Sequence, residues 1–169
     1  MDQSMIALIV AVAALLISLA TFFLFTRQRK KVAASEASSF NTRPLQLQAY
    51  ERLVMLTERI ALPNLVSRAN QPGMNAREMQ VLLLETIKQE YEYNSTQQIY
   101  VSPVAWEAVR NLKEQNMLII NQIASTLPAE ATSFDLNKRL LEFVMTQSKG
   151  ALHSIVLEAL NYEAKKLMK

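Results

Sequence analysis

Residues 5–26, MIALIVAVAALLISLATFFLFT, run for 22 positions without a charge, and only Ser18, Thr21 and Thr26 are polar. At about 1.5 Å per residue, a helix of that length spans about 33 Å, enough for the roughly 30 Å hydrocarbon core of a bilayer. Arg27, Arg29, Lys30 and Lys31 follow directly. The pattern predicts an N-terminal transmembrane helix with a basic stop. A cleaved signal peptide fits less well. No Lys or Arg precedes the run, the run exceeds the roughly 7–15 residues of a signal core, and no small-x-small site precedes the basic cluster. The positive-inside rule puts the basic flank in the cytoplasm. The expected topology is single-pass in the inner membrane. Residues 1–4 lie outside, 5–26 cross, 27–43 form a basic flank and tether, and 44–169 form a soluble helical domain in the cytoplasm.

Charge separates these parts. The formal net charge is +3, yet residues 44–169 hold 13 basic and 13 acidic side chains. The excess therefore belongs to the membrane flank. A nucleic-acid footprint needs positive charge on the folded part, so nucleic acid is not an expected partner. The chain has no cysteine, which excludes disulfides, thiolate metal sites and cysteine nucleophiles.

From residue 44 onward the apolar residues recur at helical spacing. In 45–62 the stripe is Tyr50, Leu53, Val54, Thr57, Ile60 and Ala61, and Pro63 ends or kinks it. A second helix opens at Asn75, with Glu78 three residues on to complete a capping box. Its stripe includes Met79, Leu83 and Ile87, and Lys88 is placed to pair with Glu92. Ser102-Pro103 is a strong helix start for a long segment, 103–127, with Ala105, Val109, Leu112, Asn116 and Ile119 on its spine. A fourth segment, 134–148, takes Ser133 as its cap. A fifth, 152–167, presents Ile155, Val156, Ala159, Leu160 and Leu167. Residues 99–101 read as extended. The expected fold is all-α: a single N-terminal transmembrane helix followed by a four- to five-helix cytoplasmic bundle.

The chain lacks the usual equipment of catalysis. Its one histidine, His153, has no HxxxH or ExxH partner and reads as a surface or helix-start residue. Two glycines build neither GxGxxG nor a P-loop. No catalytic residue, metal site or cofactor is expected. Glu90 and Glu92 lie two apart and do not share a helix face. What stands out is an aromatic and polar stretch. Glu90, Tyr93, Asn94, Gln97, Gln98, Tyr100, Trp106 and Arg110 are the interaction candidates, because tyrosine, tryptophan and arginine are enriched at binding hot spots. The competing reading is core packing, since Tyr91 and Trp106 fall on or beside apolar stripes.

That stretch, EYEYNSTQQIYVS over 90–102, continued by Ala105-Trp106-Glu107, resembles an uncharacterised family of small Bacteroidetes proteins. Members have an N-terminal membrane helix and a helical soluble part. LQAYERLVMLTERI over 47–60 and Lys113-Glu114 share the resemblance. It implies an anchor and a helical domain, and it implies no activity, ligand or cofactor. Three functional readings follow. The first is a tethered interaction or accessory-subunit module that meets lipid through 5–26 and a protein partner, or itself, through the domain. The second is a tethered enzyme or small-ligand domain using the polar segment from Glu90 to Tyr100. The third is a membrane-surface or nucleic-acid adaptor driven by Arg27 to Lys31.

Overall fold

The computed structural model describes residues 18, 21, 22, 41–71, 73–146 and 152–168. The chain divides into two units, Met1–Thr42 and Arg43–Lys169. In the first, Ser18, Thr21 and Phe22 are helical and exposed, and the Thr21 hydroxyl donates back to the Ser18 carbonyl at 2.9 Å. The rest of the expected anchor, with Arg27, Arg29, Lys30 and Lys31, lies outside the described residues. Among the described residues no helix is long and apolar enough to cross a membrane.

Among its described residues, the regular elements of the second unit are all helical. Its elements are α1 (Arg43–Ile60), α2 (Leu62–Ala69), α3 (Ala76–Tyr93), a 3-10 turn (Ser95–Ile99), α4 (Pro103–Ser125), α5 (Ser133–Thr146) and α6 (Leu152–Leu167). The all-α expectation holds, with six α-helices described rather than four or five. The extra one comes from Pro63. That residue has no N–H, and its ring clashes with the carbonyl four residues back, so α1 cannot continue. The chain bends at Ala61 and restarts at once as α2. Three carbonyls at the end of α1 thereby lose helical partners, and side chains replace them. Asn64 Nδ2 donates to the Glu58 carbonyl at 2.9 Å, Arg68 to that of Arg59 at 3.3 Å, and Asn116 Nδ2 to that of Ile60 at 2.7 Å.

The helix starts largely follow their caps. Asn75 Oδ1 accepts from the Glu78 N–H and Glu78 accepts from the Asn75 N–H, both at 2.9 Å, which closes the expected box. Ser102 Oγ accepts from the Ala105 N–H at 3.0 Å, and Pro103 stands at the first helical position. The cap of α5 is Thr132, not Ser133. Three residues after Thr132 stands Asp135, whose carboxylate takes the Thr132 N–H at 2.8 Å and its hydroxyl at 2.7 Å. Three residues after Ser133 stands Leu136, which cannot reciprocate. The Asn75 and Thr132 caps also meet: Ala76 N–H donates to the Ala131 carbonyl at 2.9 Å and Ser133 N–H to that of Met74 at 3.0 Å, tying the starts of α3 and α5 together. Residues 95–99 form a 3-10 turn, so the extended reading of 99–101 gives way to a turn closed by Tyr100 N–H on the Gln97 carbonyl at 3.0 Å.

One core joins all six helices. Leu53, Leu56 and Ile60 of α1 pack with Leu65, Met79, Leu83, Ile87, Leu112, Ile120, Leu136, Leu140 and Leu160, all essentially without exposure. Each such burial contributes roughly 1.5–3 kcal/mol before chain entropy is offset. Two expectations need correction. Ile155 is exposed, because α6 buries Val156 and Leu160, one turn apart, and Ile155 sits about 100° around the helix from Val156. Lys88 pairs with Glu85 at 2.7 Å rather than with Glu92.

Candidate functional site

The eight interaction candidates separate into a scaffold and a surface. Glu90, near the end of α3, is only 12% exposed. Both its oxygens lie 3.1 Å from one Arg59 nitrogen, and Arg68 reaches Oε1 at 2.7 Å. One carboxylate thus ties α1 and α2 to α3. Asn94 is buried at the end of α3, where its Nδ2 donates to the Glu90 carbonyl at 2.8 Å. Gln97 Nε2 reaches the hydroxyl of its neighbour Thr96 at 3.3 Å. Trp106 is partly buried with its ring centroid 5.1 Å from that of Tyr91, and Lys113 Nζ lies over the same Tyr91 ring, 4.5 Å from its centroid. Burial holds the Tyr91 hydroxyl above its usual pKa, with the charge of Arg110 pulling the other way. Arg110 itself pairs with Glu107 at 2.6 Å on an exposed face.

What remains points to water. Tyr93 is 72% exposed, and Gln98 and Tyr100 are also exposed. Two apolar residues absent from the candidate set join them: Ile99 at 73% and Val104 at 71%. Val104 was legible in principle. The α4 spine runs through Ala105, Val109 and Leu112, which leaves position 104 about 100° off the buried stripe. Ile99 was not, because its exposure depends on the turn.

This exposed connection is held from beneath by a junction that periodicity does not reveal. Tyr50 of α1 donates its hydroxyl to Glu163 Oε2 of α6, and Ser102 Oγ donates to the same oxygen at 2.6 Å. The Ser102 N–H donates in turn to the Tyr50 hydroxyl oxygen at 3.2 Å. Three elements meet in one hydrogen-bonded knot at the cap of α4. Burial raises the Tyr50 pKa, and the hydrogen bond to Glu163 raises it further. Tyr50 and Ser102 lie 52 positions apart and Ser102 and Glu163 lie 61 apart, so no local signal connects them.

Among the described residues no group of three His, Cys, Asp or Glu side chains is placed to hold a metal ion. Glu90, Asn94 and Gln97 are each already hydrogen-bonded within the fold, Glu90 to Arg59 and Arg68, and Tyr100 stands at the end of the turn. Elsewhere, His153 is the second residue of α6, as a helix-start reading expects, with its ring partly buried and Nε2 3.5 Å from Glu58 Oε2.

Comparison with curated proteins and with solved structures returns no match. The sequence model described as a family of unknown function, DUF7935, matches residues 2–167, so the chain belongs to that family.

Proposed function

We propose that this chain is a membrane-tethered interaction module whose helical domain presents the surface around Tyr93, Gln98, Ile99, Tyr100 and Val104 to a protein partner. The observation that carries this reading is the pairing of exposure and rigidity. Three large side chains stand more than two-thirds in water within twelve residues, on a connection tied to α1 and α6 through Tyr50, Ser102 and Glu163. A preordered apolar surface loses little entropy when a partner covers it, and tyrosine is enriched among the few residues that dominate such contacts. Residues 5–26 serve as the inner-membrane anchor, supported by their length and lack of charge. Arg27, Arg29, Lys30 and Lys31 orient it, which places the domain on the cytoplasmic side.

The test is a triple variant, Tyr93→Ser, Ile99→Ser and Val104→Ser, in the full chain extracted from native membranes in mild detergent. The expected result is at least a tenfold loss of a stoichiometric co-purifying protein, with the melting temperature held. Retention of that protein by a folded triple variant refutes the surface assignment. Sedimentation of the extracted chain separates a distinct partner from a second copy. Protease digestion of intact cells should leave the domain uncut, and cleavage there refutes the topology.

A further inference from the structure

A cleft of about 340 Å³ opens between the α1–α2 bend, the middle of α4, the end of α5 and the start of α6. Its walls include Leu62, Leu112, Ile119, Phe143, Val144 and Leu152. Size and composition are those of a small-molecule site, mostly apolar with a few placed polar groups. The polar group set deepest in the protein is Asn116, 5% exposed. Its orientation is decided by the helix break, because Nδ2 must donate to the Ile60 carbonyl at 2.7 Å. Oδ1 is therefore presented as an acceptor, and no described residue donates to it. No Lys, Arg, Asp or Glu is among the described lining residues. A negative charge adjoins the wall: Glu58 Oε2 lies 3.5 Å from Nε2 of His153, a lining residue.

We propose that this cleft binds a neutral, largely apolar molecule of about two fused rings that donates one hydrogen bond to Asn116 Oδ1. A neutral occupant is argued from the described lining residues, none of which is a cation that could pair with an anion, and from the adjacent Glu58. A donor follows from Asn116, because its oxygen has no donor among the described residues and an occupant that displaced water without donating would leave it unpaired. This site is independent of the surface around Tyr93.

His153 is the only histidine in the chain and lies on the wall, so its imidazole C–H signal reports occupancy directly. The experiment titrates the full chain in nanodiscs with 2-naphthol, 2-methoxynaphthalene and 2-naphthoate at equal free aqueous concentration. The expected result is a saturable shift of the His153 signal with 2-naphthol. The methoxy compound, which lacks the donor, should bind at least tenfold more weakly, and the anion more weakly than 2-naphthol. Val144→Trp fills the cleft and should abolish the shift. Gln115→Trp, on an exposed lining position of α4, does the same should the α5 variant fail to fold. An absent or non-saturable shift with 2-naphthol overturns the proposal. So does equal affinity for the methoxy compound or the anion, or a shift that persists in a folded filled variant.

Discussion

Asn116→Leu isolates the consequence of the proline break. Leucine keeps the size of the side chain and removes the donor to the Ile60 carbonyl. Asn116 is almost wholly buried, so water cannot readily replace that donor. A buried carbonyl left unpaired costs about 1–3 kcal/mol, and about 2 kcal/mol is a central expectation. For the unit spanning residues 43–169, unfolding entropy of about 2.1 cal/mol/K per residue gives roughly 0.27 kcal/mol/K. The melting temperature should fall by about 7 °C. Asn64→Ala is the matched control, because Asn64 Nδ2 serves the Glu58 carbonyl at 2.9 Å on an exposed face. Water takes over there, and the fall should stay below about 2 °C. Thermal and urea melts of both variants, read by far-ultraviolet circular dichroism, give the comparison. Equal shifts in the two variants, or a more stable Asn116→Leu, would show that burial of the Ile60 carbonyl is not what makes Asn116 necessary.

Three further outcomes follow from the same geometry. Tyr50→Phe should cost about 1–2 kcal/mol in urea melts, since Glu163 loses one donor and the Ser102 N–H loses its acceptor. Tyr50 titrates above its ordinary 10.0 in the folded chain, so its contribution is present below that pH and is lost as pH rises through the folded value; alkaline unfolding of Tyr50→Phe should lack that component. Glu90→Gln should destabilise by about 1 kcal/mol, moderated because Arg59 and Arg68 are nearly half exposed. The gap from the parent should narrow in about 1 M salt, where charges are screened within about 3 Å. Asp135 titrates below its ordinary 3.8, chiefly through the Thr132 hydroxyl and next through the Thr132 N–H. Its contribution is therefore present above that pH and is lost as pH falls through the folded value. Acid melts of Asp135→Asn should lack this step, and carboxyl carbon shifts should place the Asp135 midpoint below 3.8.

Much of the helical layout was legible because the signals are local. Asn75 with Glu78, and Ser102 with Pro103, determine helix starts through bonds that span three residues or fewer. The stripes through Leu53, Leu83 and Leu112 identified core faces because 3.6-residue periodicity needs no knowledge of the partner. Errors fell where two local options compete. Ser133 and Thr132 are both competent caps, and only the reciprocating Asp135 distinguishes them. Ile155 and Val156 are both apolar, and their order of burial depends on how α6 lies against α1.

The candidate site was less legible. The stretch from Glu90 to Arg110 was marked by composition, which cannot separate a side chain that binds a partner from one that binds its own fold. Glu90 proved to be the anchor of Arg59 and Arg68, 31 and 22 positions away. Trp106 packs on Tyr91, while Ile99 and Val104 face water.

Sequence by itself determined the helical class, most boundaries, the neutral charge of residues 44–169 and the uncharged run at 5–26, because each arises from near-neighbour sterics, hydrogen bonding or composition. Tertiary structure alone decided three things: that the chain resumes as α2 after Pro63, that Tyr50, Ser102 and Glu163 share one knot, and that Asn116, on the wall of a cleft, serves the Ile60 carbonyl. Each depends on which distant group arrives to satisfy a buried polar atom, and that is a property of packing rather than of spacing along the chain.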